Sequence, residues 1–428
     1  MRKFPGMFRT HPATLLTLAD QALVSGSNFV LGIWLTRQLG LEGYGLFALA
    51  WMGVILSSSL QQALVIAPMM SLGPGMQPQQ RQAYYHRCFF LQLTFCLLAG
   101  SVALAMLCLG DLWQLDMRLQ SLRLVLPFTI MAFLMQEYMR RLYLIRAAAL
   151  RALLLDALAY TGSLLGIFLL GWRGSLGVST ALLAVGACFG LAALLGLRAL
   201  APPWPGWKAL WGVIRRHWVF ARWLGGTAVL QFFSSNYFLI AAAAVLGPAA
   251  VGALRIAQNL VGVTHVLFLA MENLIPVKAA TAYHRDGLQG LQAYMWAVSL
   301  KAFLLVAVLL GGMGLLAPWL IRLLYGPAYE GYSYLLVAYC LLYLLVFPGY
   351  LLRYMLRTLE YTQPILGAYV LSAIFSLLAA TFFVEQWELL GVIYGLCTAQ
   401  GMMLMCYGLF LWQKMRRLGA SPSLPFER

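Results

Sequence analysis

Few residues in this chain have the type and spacing to do chemistry. The five histidines (His11, His86, His217, His265 and His284) form no HExxH pair, and neither a P-loop nor a GxSxG elbow occurs. The seven cysteines sit in apolar runs, without a CxxC pair or a histidine at metal-ligand spacing, and read as packing residues. What remains is a set of polar side chains inside apolar runs, where an ionisable group is expensive and faces a cavity or a partner. Asp20 shares one side of its run with Thr17, Gln21, Ser25, Ser27 and Asn28, within about 160° of arc. Two readings fit that side: a cavity wall with a cation or proton site at Asp20, or a hydrogen-bonded seam between helices. Arg255, Gln258, Asn259, Gly262 and Asn273 form a second stripe, roughly 100° wide. It is too costly to face lipid, so it lines a cavity or a packed seam, with Arg255 able to snorkel to the outer interface. Lys301 lies about a dozen residues into its run, as a cavity cation or half of a buried pair.

These residues need a membrane-spanning scaffold, and the composition supplies one. Of 428 residues, 62% are AVILMFWYC and 10% are charged, against about 45–50% and 25% in ordinary soluble domains. A disordered chain, a secreted disulfide scaffold and almost any water-soluble enzyme are excluded. A crossing takes about 20 mainly apolar residues. That ruler predicts twelve helices, near 13–36, 43–67, 84–109, 121–145, 150–171, 175–199, 219–245, 250–275, 289–317, 331–352, 362–384 and 388–413. The first is read as a retained helix and not a signal peptide, because it is long, holds Asp20 and Asn28 and lacks a small-x-small cleavage site. A break is expected at Pro318, and Trp211-Gly-Val-Ile-Arg-Arg-His-Trp218 is expected to form an interfacial helix.

There are 29 basic and 13 acidic residues, giving +16. Lys and Arg lie mostly between apolar runs, with no aromatic interleaving on a soluble domain, so membrane lipid headgroups and topology explain them and nucleic acid does not. With the N-terminus inside, 22 basic residues fall on the cytoplasmic side and 7 on the other or deep in the membrane. Both termini are therefore expected in the cytoplasm. Among the charges, Glu137 is expected to pair with Arg140 and Arg141, Asp156 with Arg151 and Arg146, and Arg357 with Glu360, while Glu272 is a partner for Lys278 or an end cap.

The halves resemble each other. Gly40, Gly45 and Ala50 match Gly247, Gly252 and Ala257 at an offset of 207, and Ser27-Asn28-Phe29 matches Ser235-Asn236-Tyr237 with one residue of slippage. An odd helix matching an odd helix means repeats of the same orientation. The expected organisation is a six-helix unit over 1–200, a cytoplasmic linker over 201–218 and a second six-helix unit over 219–428.

Asp20-Gln-Ala-Leu-Val-Ser-Gly-Ser-Asn-Phe and Leu39-Gly-Leu-Glu-Gly-Tyr-Gly-Leu-Phe-Ala-Leu-Ala-Trp resemble the opening of bacterial polysaccharide and O-antigen (Wzx-type) flippases. These belong to the multidrug/oligosaccharidyl-lipid/polysaccharide exporter superfamily. Gln136-Glu-Tyr-Met-Arg-Arg, Ala253-Leu-Arg-Ile-Ala-Gln-Asn, Met271-Glu-Asn-Leu-Ile-Pro and Leu324-Tyr-Gly-Pro-Ala-Tyr are similar to sequences at matching places there. The resemblance implies an all-α integral membrane protein with two six-helix lobes in a MATE-like V around a central cavity. It implies alternating access that carries a polyprenyl-diphosphate-linked oligosaccharide from the cytoplasmic to the periplasmic leaflet of the bacterial inner membrane. Glycosyltransferase or polymerase components of the same pathway would be partners. Arg255 would meet the diphosphate, with Gln258, Asn259, Lys301, Asn28 and Asn236 around the cavity. Helix 1 and the start of helix 2 lack the arginine cluster of lipid II flippases, apart from Arg37, which points away from a peptidoglycan precursor. No nucleotide-binding motif is present, so no bound cofactor is expected, and turnover would be coupled to H+ or Na+ or driven by the lipid gradient. The alternative is an ion-coupled multidrug or cation antiporter of the same fold, with Asp20 as the ion site. Positive groups at depth favour the first. An enzyme of glycan transfer would need a pair of metal-binding carboxylates or a catalytic outer loop, and neither is visible.

Overall fold

The computed structural model describes residues 12–113, 117–197 and 204–419. Arg2, Lys3, Arg9, Arg198 and Arg428, counted above for orientation, lie outside the described residues, as do 201–203 and the side chains of Thr17 and Asn273.

Among the described residues every regular element is helical. A lipid environment demands this, since a helix satisfies its backbone hydrogen bonds within one segment. Among the described residues, eight continuous helical stretches are long and apolar enough to cross a membrane, and three of them run for 54, 68 and 56 residues. A single crossing needs only about 20, and each long stretch is broken once by non-helical backbone, at Gly40, Gly287 and Glu388. Val125–Ile145 adds a span whose Glu137, Arg140 and Arg141 lower its apolarity. The described chain thus holds twelve spans: α1 (12–39), α2 (41–72), α3 (Pro78–Cys108), α4 (Val125–Ile145), α5 (Ala149–Trp172), α6 (Val178–Leu197), α7 (Trp207–Leu246), α8 (248–286), α9 (288–315), α10 (Ser333–Thr358), α11 (363–387) and α12 (389–419).

Besides α8, which runs on to residue 286 where 275 was expected and so carries Lys278 and Arg285, two boundaries differ from expectation. The stretch 211–218 is no separate interfacial helix but the continuous start of α7. Its His217 is buried, with Nδ1 3.2 Å from the Leu64 carbonyl and Nε2 2.7 Å from the Tyr84 hydroxyl. The carbonyl can only accept, so Nδ1 carries the proton and Nε2 accepts from Tyr84. The second difference is α10, which continues to Thr358, so Arg353 and Arg357 belong to a helix and not to a loop. Pro318 opens a short helix, Ala317–Leu324, after α9 has ended.

The internal repeat is visible in the backbone. Gly40, between α1 and α2, has φ 69° and ψ −177°, and Gly247, between α7 and α8, has φ 85° and ψ 173°. Both occupy a region open essentially to glycine alone. A second matching turn lies after α4 and α10. Ala147 and Glu360 both have positive φ, and each is followed by an amide bonded five residues back, Ala148 to Tyr143 and Tyr361 to Leu356, both at 2.9 Å. The offset here is 213.

The chain forms two compact units, 1–229 and 230–428. In the first, Thr129 on α4 donates to the Leu182 carbonyl on α6 at 3.0 Å. The helices come this close because Gly186 has no Cβ, which would lie 2.9 Å from Phe128 and from Thr129. In the second, Ser234 on α7 and Ser372 on α11 share a 2.6 Å hydrogen bond, and buried Phe238 packs against Gly395 on α12.

Candidate ligand cavity and buried charge cluster

In the N-terminal unit, three carboxylates converge on one guanidinium. Arg140 on α4 meets Asp20 of α1 at 2.7 Å, Asp156 of α5 at 2.6 Å and its own helix neighbour Glu137 at 3.3 Å. Arg141 binds the other side of Glu137 at 2.7 Å, and the Gln136 amide donates to Asp156. Asp20 and Asp156 are buried. The i, i+3 and i+4 pairing of Glu137 with Arg140 and Arg141 is as expected. Asp156 is not held by Arg146 or Arg151, because the turn at Ala147 folds α5 back along α4 and brings Asp156 to Arg140. Fully ionised, the five groups carry one net negative charge, which a proton or a monovalent cation would balance.

The C-terminal unit holds a cavity of about 310 Å³ walled by α7, α8, α10, α11 and α12. Its lining combines Arg353 and His265 with amides (Gln231, Gln258, Gln400), serines (Ser234, Ser235, Ser372) and five tyrosines, and includes no carboxylate. Arg353 donates to the Tyr369 hydroxyl at 2.8 Å and lies 4.3 Å over the Tyr350 ring. His265 Nε2 is 3.0 Å from the Tyr343 hydroxyl. Pro348 lies inside α10, where it removes one amide from the helical hydrogen-bond ladder. Such a lining suits a ligand that accepts hydrogen bonds from many hydroxyls and amides and carries negative charge.

The residues singled out from the sequence are dispersed. Gln258 lines the cavity. Arg255 is half-buried and donates to Gln258 at 2.7 Å, so it stands behind a lining residue. Asn259 donates to the Tyr325 hydroxyl at 3.0 Å, and Asn236 donates back to the Phe232 carbonyl of its own helix at 3.1 Å. Lys301 and Asn28 are exposed on α9 and α1. Arg357 meets Glu272 at 3.1 Å, in place of the expected Glu360 and Lys278 partners, because α10 lies alongside α8. Sequence reasoning missed Arg353, which it assigned to a loop. The signal was present in the 213-residue register, where Arg140 matches Arg353 and Asp156 matches Tyr369.

No known family profile and no curated protein sequence matches the chain. Solved structures do. The chain is similar to an inward-facing multidrug resistance MATE family transporter of the MOP superfamily, with TM-score 0.70 and 17% identity over 96% of this chain and 100% of that one. It is similar to the lipid II flippase MurJ in an inward closed conformation, with TM-score 0.71 and 10% identity over 94% and 87%. A MOP superfamily transporter from Pyrococcus furiosus, described as having a binding pocket of reverse polarity, gives TM-score 0.61 and 15% identity over 98% and 99%. The chain has the multi-pass, all-helical fold of the MATE and MurJ transporters.

Proposed function

We propose that the chain is a membrane transporter that flips a polyprenyl-diphosphate-linked oligosaccharide from the cytoplasmic to the periplasmic leaflet of a bacterial inner membrane by alternating access. The product would feed an O-antigen, exopolysaccharide or other surface glycan. The observation that carries this reading is the C-terminal cavity, which is rich in hydroxyls and amides, contains a guanidinium and has no carboxylate in its lining. A site for organic cations would need the opposite charge. Asp20, the natural cation site of the antiporter alternative, already has its carboxylate on Arg140. The acid-rich cluster around Asp20 is better suited to a coupling H+ or Na+ than to a drug. No nucleotide site is involved, and glycosyltransferases or a polymerase of the same pathway would be its partners.

The test is surface polysaccharide in cells lacking the native protein. Re-expression should restore the glycan, and lipid-linked precursor should accumulate on the cytoplasmic side without it. Normal surface glycan in the deletion strain, together with a gain in sensitivity to cationic drugs, would transfer the chain to the antiporter reading.

A further inference from the structure

The two units solve the same packing problem with opposite chemistry. In the 213-residue register Arg140 and Arg353 are equivalent, each in the last two turns of its helix before a matching positive-φ turn. In the N-terminal unit the arginine is saturated by Asp20, Glu137 and Asp156. In the C-terminal unit Glu137 is replaced by Tyr350 and Asp156 by Tyr369, and the 208-residue register of Asn28 and Asn236 matches Asp20 with Ala228, on α7 just before that unit begins. All three carboxylates are gone while the cation remains. Arg353 makes no ion pair among the described residues, and its protein partners are the Tyr369 hydroxyl and the Tyr350 ring. An intramembrane guanidinium without a counter-charge is expensive, so such residues mark ligand or ion pathways.

A second observation points at the same space. Tyr339 and Tyr407, 1% and 0% exposed, both line the cavity, and neither phenol oxygen has a hydrogen-bond partner. A buried hydroxyl without a partner costs free energy, which a ligand oxygen would recover. We infer that Arg353, with Tyr369, Tyr339 and Tyr407, forms an oxyanion receptor that takes a diphosphate group. The guanidinium fork binds two phosphate oxygens while staying charged, and the phenols donate to the others. Tyr369 and Tyr350 hold the fork in orientation. This inference rests on the proposed transport of a diphosphate-linked lipid, but its site can be tested apart from transport.

The experiment measures equilibrium binding to the purified full chain in detergent, with inorganic pyrophosphate, farnesyl diphosphate and farnesol as probes. Wild type should bind pyrophosphate and farnesyl diphosphate and ignore farnesol. Tighter binding of farnesyl diphosphate would identify a lipid headgroup as the source, and equal binding a free diphosphate. Arg353→Gln should weaken both by at least tenfold, Arg353→Lys by less, and Tyr369→Phe by about threefold with its ring packing kept. Arg322→Gln, which removes an exposed cation elsewhere in the same unit, should bind as wild type does. If Arg353→Gln does not yield folded protein, Arg353→Lys and Tyr369→Phe are read alone. Wild-type binding by both would overturn the receptor, as would the absence of pyrophosphate binding to the native chain. Normal surface glycan in the deletion strain, with pyrophosphate binding to the native chain intact, would instead overturn the transport reading and leave the receptor standing.

Discussion

Arg140 and Arg353 show how far one residue's role depends on its neighbours. The first is a structural hub whose positive charge is more than cancelled, and the second is a cation presented to a cavity. The surplus negative charge around Arg140 is the feature that could respond to an ion, and Asp20 can be altered with least damage. Asn at position 20 keeps one acceptor oxygen for Arg140 while removing one negative charge. The Asp20→Asn protein should therefore insert and fold, but the cluster becomes neutral and has nothing left for a proton or sodium ion to balance. Glycan export should fall to background at unchanged membrane abundance, and its dependence on H+ or Na+ gradients should vanish. Full export by this variant at equal abundance would reduce Asp20 to a packing partner of Arg140.

At the scale of elements, the Gly40 and Gly247 turns carry a matching prediction. Each has φ well above zero with ψ near 180°, and neither has an atom within 4 Å of where a Cβ would stand. The cost of alanine is then backbone strain alone, about 1–3 kcal/mol per site. Gly40→Ala and Gly247→Ala should lower thermal stability by similar amounts, and the double variant by their sum, because the turns lie in separate units. Unequal losses would mean that the turns are alike in shape but not in what they support. The existence of the twelve helices was legible in the sequence because apolar length is a direct consequence of the bilayer. The end of α10 was not, because an apolar ruler stops at the first charge, and Arg353 is carried by tyrosines that it cannot weigh. The partner of Asp156 was also beyond reach. Local spacing favoured Arg146 and Arg151, whereas the contact that forms crosses between helices. Arg255 was singled out for its place in a polar stripe and for the resemblance of the segment around it, and local spacing could not show that it donates to Gln258.

For the whole molecule, orientation decides which leaflet the cavity serves. An even number of spans would put both termini on one side, and we propose from the 22 to 7 division of Lys and Arg that this side is the cytoplasm. Under this topology α4 and α10 both run from the outer to the inner face. Arg353 is five residues before Thr358, the end of α10, or about 8 Å along the axis. The diphosphate receptor then lies towards the leaflet in which a lipid-linked sugar is assembled, where loading must occur if transport is outward. Reporter fusions after Gly206 and after Arg417 test this directly, since both positions should report cytoplasm. A fusion after Gly174, in the turn between α5 and α6, should report the opposite side. Periplasmic activity at Gly206 or Arg417 would reverse the molecule, put Arg353 beside the outer leaflet, and make import the only direction consistent with its position.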